Sequence, residues 1–221
     1  MLIDLYLKGR EVVVFGGGEE AELKVVKVLD DGAKVTVVSK DFTSKLGQLA
    51  GEGTINAIEY DLSNGFASLK NRLGSPYVAF LATDDKSINE KGADFAKRFG
   101  AIVCVVDTPE LCDFAMPAIA KVGDVRIGIS TGGRSPVIAK LFRQKIEKMF
   151  TKEDLLQLEL QEHARRKIRS RIEGFGSRKE FLWKLVENDE IQMLLKQNKL
   201  DKAKSVADRM VEQVVSRSVN H

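Results

Sequence analysis

Histidine and cysteine are scarce in this chain: His163, His221, Cys104 and Cys112 are all there are among 221 residues. So little imidazole argues against a histidine-built zinc site and against a Ser-His-Asp triad. The two cysteines form no CxxC pair and read as reduced, buried thiols. Acid-base chemistry is therefore left to carboxylates, hydroxyls and lysines. No run of about 18 apolar residues offers a membrane span. The opening segment MLIDLYLKGR is too short and too mixed for the apolar region of a signal peptide. A cytoplasmic protein is expected. Three tyrosines, one tryptophan and no recognised motif argue against nucleic-acid binding.

Hydrophobic residues make up 43% of the chain, enough for a sizeable core. The net charge of +3 is unevenly spread. Residues 1–133 carry 15 Lys/Arg against 19 Asp/Glu, and residues 134–221 carry 20 against 13. The basic half suits an acidic partner, or is a set of solvated helix faces.

In the first half, short apolar runs alternate with amphipathic stretches. Val12–Phe15 is a β-branched run that stops at three glycines, and residues 19–31 then place Ala21, Val25, Val28 and Leu29 at helical spacing. Further strands are predicted at Lys34–Ser39, Thr54–Tyr60, Tyr77–Ala82 and Ile102–Val106, with a helix over 86–99 closed by Gly100. Strands separated by helices imply right-handed crossovers and a parallel sheet covered on both faces. The predicted class is α/β: a Rossmann-type sheet over residues 1–113, a small α+β dimerisation segment over 114–150, and a helical domain over 151–221. Two strands, Met116–Val122 and Asp124–Ser130, are expected to pair as a hairpin at Gly123-Asp124. Ser135 is expected to cap a helix with Pro136 at its first position, and Thr151 with Asp154 to form a capping box. The remainder reads as helix to about residue 216, interrupted once at Gly174–Ser177.

Gly16-Gly17-Gly18-Glu19-Glu20-Ala21 fits G-x-G-x-x-G/A between a strand and a helix, the context that gives the pattern its meaning. Gly16 permits the tight turn. Gly18 lets the backbone approach a diphosphate, and Ala21 allows close packing of helix on sheet. Free N–H groups at the helix N-terminus favour the anion. Glu19 and Glu20 suit the helix dipole but must point away from a phosphate. Ser39-Lys40-Asp41 occupies the end of the second strand, where an acidic residue normally holds a ribose. Ser39 or Asp41 bonding the ribose diol favours NAD, Lys40 neutralising a 2′-phosphate favours NADP, and the reading adopted is NAD. Thr83-Asp84-Asp85 follows the fourth strand, either as part of the ligand loop or as the cap of the next helix.

These stretches, with LATDD and Asn89 (81–89), VVDTP (105–109), FAMPAIA (114–120) and ISTGGRSPVIAKLFR (129–143), resemble one family. It is that of the precorrin-2 dehydrogenases, which also form the N-terminal part of siroheme synthases. The resemblance runs in order over about 200 residues, and no methyltransferase region follows. It implies NAD-dependent oxidation of precorrin-2 to sirohydrochlorin, in some members also insertion of ferrous iron as a substrate, and a homodimer joined through the segment after the nucleotide domain. It makes Asp107 the catalytic aspartate. It places Met116, Ser130, Thr131, Gly132, Arg134 and Ser135 at the substrate. Arg134, Lys140 and Arg143 would pair with the tetrapyrrole's eight carboxylates. No metal ligands are implied. Leu23 departs from the family's usual Arg, Glu20 from an apolar residue, Cys104 from Asn and Thr131 from Ser. The competing function is a regulatory module that senses NAD(H) without catalysis.

Overall fold

A computed structural model describes residues 2–219 of the chain, with side chains through Ser216. Two compact units divide at Met116/Pro117.

The first unit is built on five parallel strands: β1 (Glu11–Phe15), β2 (Lys34–Ser39), β3 (Asn56–Glu59), β4 (Val78–Leu81) and β5 (Ile102–Val105). Their order is β3-β2-β1-β4-β5. The chain moves outward from β1 on one side, then crosses back to lay β4 on the other. This reversal puts a switch point between β1 and β4, at the carboxyl end of the sheet. Alternation along each strand feeds two cores. Val12, Val14, Val35, Val37, Val78 and Phe80 face α1 (Glu19–Asp30) and α2 (Ser44–Gly51). Val13, Phe15, Val38, Ile58, Ala79, Leu81, Val103 and Val105 face α4 (Lys86–Lys97) and the Leu62–Leu69 segment. Both sets are buried, which explains the near-continuous apolar runs.

The third strand is shorter than predicted, beginning at Asn56. Two elements were not anticipated: α2, capped by the Thr43 hydroxyl accepting from Leu46 N, and the single turn α3 (Lys70–Leu73). Gly47 and Gly51 within α2 hide its helical pattern.

The second unit opens with the antiparallel hairpin β6 (Ala118–Val122) and β7 (Val125–Ile129), in register Val122↔Val125 across Gly123-Asp124. Ser135 caps α5 (Pro136–Met149), its Oγ accepting from Ile138 N at 3.2 Å. Thr151 and Asp154 form the capping box of α6 (Lys152–Ile168). Then follow α7 (Phe175–Val186), α8 (Asp189–Lys196) and α9 (Leu200–Val219). The tail is thus interrupted more often than predicted. α6 ends at Ile168, before Gly174, and Phe175–Ser177 is already helical. Asn188 caps α8 at its start, and Asn198, at φ 57°, stands just beyond its end. Asn188 caps through its side chain, accepting from Ile191 N, and Asn198 tolerates the left-handed conformation, so neither boundary carries a glycine signal. Among the described residues no helix is long and apolar enough to cross a membrane.

Leu160, Ala164, Ile168, Phe181, Leu185, Ile191, Leu195, Ala203, Ala207 and Val211 form the core of this helical part. Truncating a buried leucine here costs about 2–5 kcal/mol. Ion pairs add less. Lys167 Nζ lies 2.6 Å from Asp208 Oδ2, and His163 Nε2 lies 2.8 Å from Asp208 Oδ1. Desolvation pushes the Asp208 carboxyl up, but hydrogen bonds from Lys167 and His163, with their charges, outweigh it and hold it below its ordinary value. A depressed carboxylate stabilises the fold above its unfolded value and stops doing so as pH falls through its folded value. Asp208→Asn is therefore expected to lower stability at neutral pH by about 0.5–1 kcal/mol. Melting curves should show its deficit against the parent shrinking as pH drops below about 4. A deficit independent of pH would contradict this assignment.

Candidate dinucleotide-binding and catalytic site

At the carboxyl end of β1 the chain turns through a corner without side chains. Gly16 has φ 117°, a conformation other residues rarely adopt, and a Cβ there would strike the Ala82 carbonyl. A Cβ on Gly17 would strike the Asp41 carbonyl and come within 2.9 Å of the Ser39 side chain. Gly16 N donates to Val38 O at 2.9 Å, and Thr43 N donates to Gly17 O at 3.0 Å. The first two glycines therefore let the ends of β1, β2 and β4 close on one another. Gly18 differs: it has ordinary backbone angles, and nothing lies within 4 Å of the place its Cβ would take. It faces open space.

Gly18 is also the N-cap of α1, and no side chain caps that helix. The first intrahelical bond runs from Glu22 N to Gly18 O. The N–H groups of Glu19, Glu20 and Ala21 thus meet the open side of the corner with the positive end of the helix dipole. Two of the three nearby carboxylates are committed elsewhere. Glu20 pairs with Lys24 at 3.1 Å, and Glu22 accepts from the Thr43 hydroxyl at 2.6 Å. Glu19 is exposed. Ala21 is fully buried, so α1 lies close on the sheet. An uncapped helix end beside an unobstructed glycine fits a diphosphate.

On one side of the corner Ser39 ends β2 beside Gly17, followed by exposed Lys40 and Asp41. On the other side Ala82 leads into Thr83-Asp84. The Thr83 hydroxyl donates to Asn89 Oδ1 at 2.7 Å, Thr83 N reaches the same oxygen at 3.2 Å, and Asn89 Nδ2 returns a bond to Thr83 O at 2.9 Å. Asn89 is a buried polar side chain, 3% exposed, and its function here is to fix this loop. Asp85 is the cap of α4, accepting from Ser87 N and Ile88 N. The two readings of this segment are thereby divided: Asp85 caps, Thr83 is tied to Asn89, and Asp84 stays exposed.

Asp107 follows β5, two strands from β1, about 10 Å across the sheet. It sits at φ 57°, one of two non-glycine residues with positive φ among those described. Its carboxylate is exposed and has no hydrogen bond or ion pair among the described residues. The loop that carries it is firmly held. β5 is an edge strand, and residues 112–113 fold back along it. Val105 N donates to Cys112 Sγ at 3.1 Å, Val103 N to Asp113 Oδ2 at 2.9 Å, and Asp113 N to Val103 O at 2.8 Å. Lys97 closes the arrangement at 3.3 Å from Asp113 Oδ1. Burial, then neighbouring Cys112, pushes the Cys104 thiol up to about 11, so it is neutral at physiological pH. Sequence reasoning named Asn89 without a role and missed Cys112 and Asp113 as site residues. Only Asn89 carried a signal, its place just after LATDD.

Met116 packs partly buried against the α1 and α2 face of the core, beside Phe114, whose ring meets Phe80 edge-on at 5.7 Å. The other residues predicted at the substrate lie in the second unit. The Thr131 hydroxyl accepts from Ser135 N at 3.3 Å, Gly132 N donates to Ser130 Oγ at 3.3 Å, and Arg134 Nε donates to Thr131 O at 3.2 Å. These bonds shape a tight turn before α5 that leaves the Arg134 Nη atoms without a partner among the described residues. Arg143 is paired with Glu147 at 3.0 Å.

Fold order, switch point and open glycine corner define a dinucleotide-binding protein of the doubly wound class. Comparison with known proteins agrees: residues 3–118 match the family described as putative NAD(P)-binding, and residues 123–149 match the sirohaem biosynthesis protein central family. A precorrin-2 dehydrogenase of Methanosarcina barkeri is 32% identical over 188 residues, 85% of this chain and 83% of that protein. The chain therefore belongs to the precorrin-2 dehydrogenase family, and its cofactor is NAD. Siroheme synthases of Nitrosococcus oceani and Klebsiella pneumoniae are 32% and 30% identical over 84% and 97% of this chain. The chain spans 38% and 45% of their lengths, less than half of each. The solved precorrin-2 dehydrogenase SirC shares the fold, with a TM-score of 0.72 over 95% of this chain and 99% of that one, at 20% identity.

The different surroundings of the glycines separate two effects. Gly17→Ala is expected to cost about 2 kcal/mol or more of stability through the clash with the Asp41 carbonyl. Gly18→Val is expected to cost only about 0.5–1 kcal/mol, as valine is a poorer N-cap than glycine, shifting the melting temperature by about 1–4 °C, while weakening NAD binding by about tenfold or more in calorimetric titration. Unchanged NAD affinity in Gly18→Val would contradict the placing of the diphosphate.

Proposed function

We propose that this chain oxidises precorrin-2 to sirohydrochlorin, with Asp107 as the proton acceptor. The observation that carries this reading is an uncommitted carboxylate, on a strained but tightly braced turn, at the nicotinamide side of the dinucleotide corner. In a fold of this order Ser39–Asp41 at β2 would hold the adenosine end of NAD, leaving the β4 and β5 side of the switch point for its nicotinamide. Bound NAD supplies a hydride acceptor. Asp107 takes the proton lost from the macrocycle in the same oxidation, so that two electrons and one proton pass to NAD and one proton to the carboxylate. Arg134, with free Nη donors, and Ser130–Ser135 hold the substrate's carboxylates. The relatives found bear enzyme names, which favours catalysis over a NAD(H)-sensing module. Where ferrous iron is a second substrate, the same carboxylate receives the displaced pyrrole protons. Two unpaired cysteines fit a reducing, cytoplasmic setting.

Asp107→Asn keeps a residue type that tolerates positive φ, so the fold is expected to persist. Turnover of precorrin-2, followed by NADH absorbance, should fall by about 10²–10⁴-fold with NAD affinity unchanged. Full turnover in this variant would remove Asp107 from the chemistry. Adding ferrous iron to the sirohydrochlorin formed by the parent tests iron insertion: siroheme appearing faster than in an enzyme-free control supports it, and an equal rate excludes it.

The proposed homodimer rests on the 114–150 segment. Val137, Ile138, Leu141, Phe142 and Met149 are all exposed on α5, 75% and 74% at Val137 and Met149. They follow i, i+4 steps along the helix, and a two-stranded hairpin is too small to cover such a stripe. A second copy would cover it by two-fold symmetry. Light scattering should give a dimer for the parent and a monomer for Leu141→Glu/Phe142→Glu. A parent that is monomeric at micromolar concentration would contradict the proposal.

A further inference from the structure

The helical part of the second unit carries a basic cluster that the site above does not use. The structure sorts its members. Arg166 pairs with Glu162 at 3.1 Å, Lys167 with Asp208 at 2.6 Å, and Arg171 with Glu212 through two bonds at 2.6 and 2.7 Å. Arg165 and Arg169 have no such partner among the described residues. They stand four residues apart, Arg165 in the last turn of α6 and Arg169 at its C-cap, where like charges repel. Both line a groove between α6 and α7 of about 870 Å³. Lys179 and Arg178 add two further cations from the α7 side, although Arg178 Nη1 already reaches Arg169 O and Ile172 O at 3.4 Å.

Apolar surface in this groove is equally unspent. Phe175 is 79% exposed and Trp183 56% exposed, and both belong to its lining. Large aromatic side chains left open beside unpaired cations suit a ligand with a flat apolar body and an anionic rim. The volume is that of a small-molecule site. Along α6 the lining runs from Gln161 to Arg169, a span of about 12 Å at 1.5 Å per residue. That is short for a single-stranded nucleic acid, which needs a basic track of about four nucleotides or more. An acidic peptide matches the cations but leaves the aromatic surface uncovered.

We propose that the α6–α7 groove is a second binding site for a planar polycarboxylate of the tetrapyrrole class, outside the unit that contains Asp107. Arg165, Arg169 and Lys179 bind the peripheral carboxylates, and Phe175 and Trp183 lie against the ring. The choice of tetrapyrrole rests on the dehydrogenase reading, whereas the groove's preference for a flat polyanion stands on its own lining.

Trp183 is the only tryptophan in the chain, so one fluorophore reports on this groove. The probe is uroporphyrin, an octacarboxylate macrocycle, titrated into the full-length protein by tryptophan quenching and by calorimetry. Saturable quenching is expected in the parent, weakened at least tenfold in Arg165→Glu/Arg169→Glu and less in Arg165→Gln/Arg169→Gln, with precorrin-2 turnover retained in both. Melting curves matching the parent establish that the variants fold. Quenching and heat unchanged by charge reversal would overturn the proposal, as would tighter quenching by polyglutamate or by a DNA oligonucleotide. The two readings fail separately. Turnover of precorrin-2 without groove binding leaves the dehydrogenase standing alone, and groove binding without turnover leaves the polyanion site standing alone.

Discussion

The first unit depends on three backbone segments meeting where no side chain can fit. Gly16 lies against the Ala82 carbonyl and Gly17 against the Asp41 carbonyl, so the ends of β1, β4 and β2 close to contact distance. That closure brings the Ser39–Asp41 and Thr83–Asp84 segments to either side of α1's uncapped N-terminus. Gly18, one residue on, touches nothing, and its bareness is proposed to serve a ligand. Packing thus accounts for two glycines of the turn and leaves the third to chemistry.

Around this corner the loops are braced by side chains that are themselves removed from the ligand. Asn89 fixes Thr83 from within the core, and Cys112 and Asp113 supply the edge of β5 with partners that another strand would otherwise provide. Bracing of this kind lets Asp107 hold an uncommon backbone conformation while its carboxylate stays uncommitted. The second unit follows a different logic. Some of its helix charges are neutralised in pairs, and among the cations left without a partner in the described residues, Arg134 and those of the α6–α7 groove mark where anionic ligands are proposed to bind.

Much of this was legible in the sequence. Runs such as Val12–Phe15 and Lys34–Ser39, punctuated by glycine, announced buried parallel strands, and Gly16–Ala21 announced the dinucleotide turn in its proper context. Ser135-Pro136 and Thr151 with Asp154 gave true helix starts, because a cap is a local hydrogen bond between near neighbours. What escaped was set by distant contacts or by weaker punctuation. Asn188 and Asn198 break the helical tail without glycine, and α2 hides behind Gly47 and Gly51. Cys112 and Asp113 matter only because residues 106–113 fold back on β5, and spacing along the chain does not show that. Even the basic cluster 165–171 needed coordinates, since only the positions of Glu162, Asp208 and Glu212 separate its neutralised members from Arg165 and Arg169.

The glycine corner is proposed to seat the dinucleotide with its redox end turned toward β5. The most direct measurement is a crystal structure of the protein grown with NAD. The diphosphate is expected within hydrogen-bond distance of the backbone N–H groups at Gly18–Glu20, the adenosine ribose beside Ser39–Asp41, and the nicotinamide facing the Asp107 carboxylate. A dinucleotide lying in the reverse sense, with its nicotinamide over β2, or a corner left empty at saturating NAD, would contradict this seating.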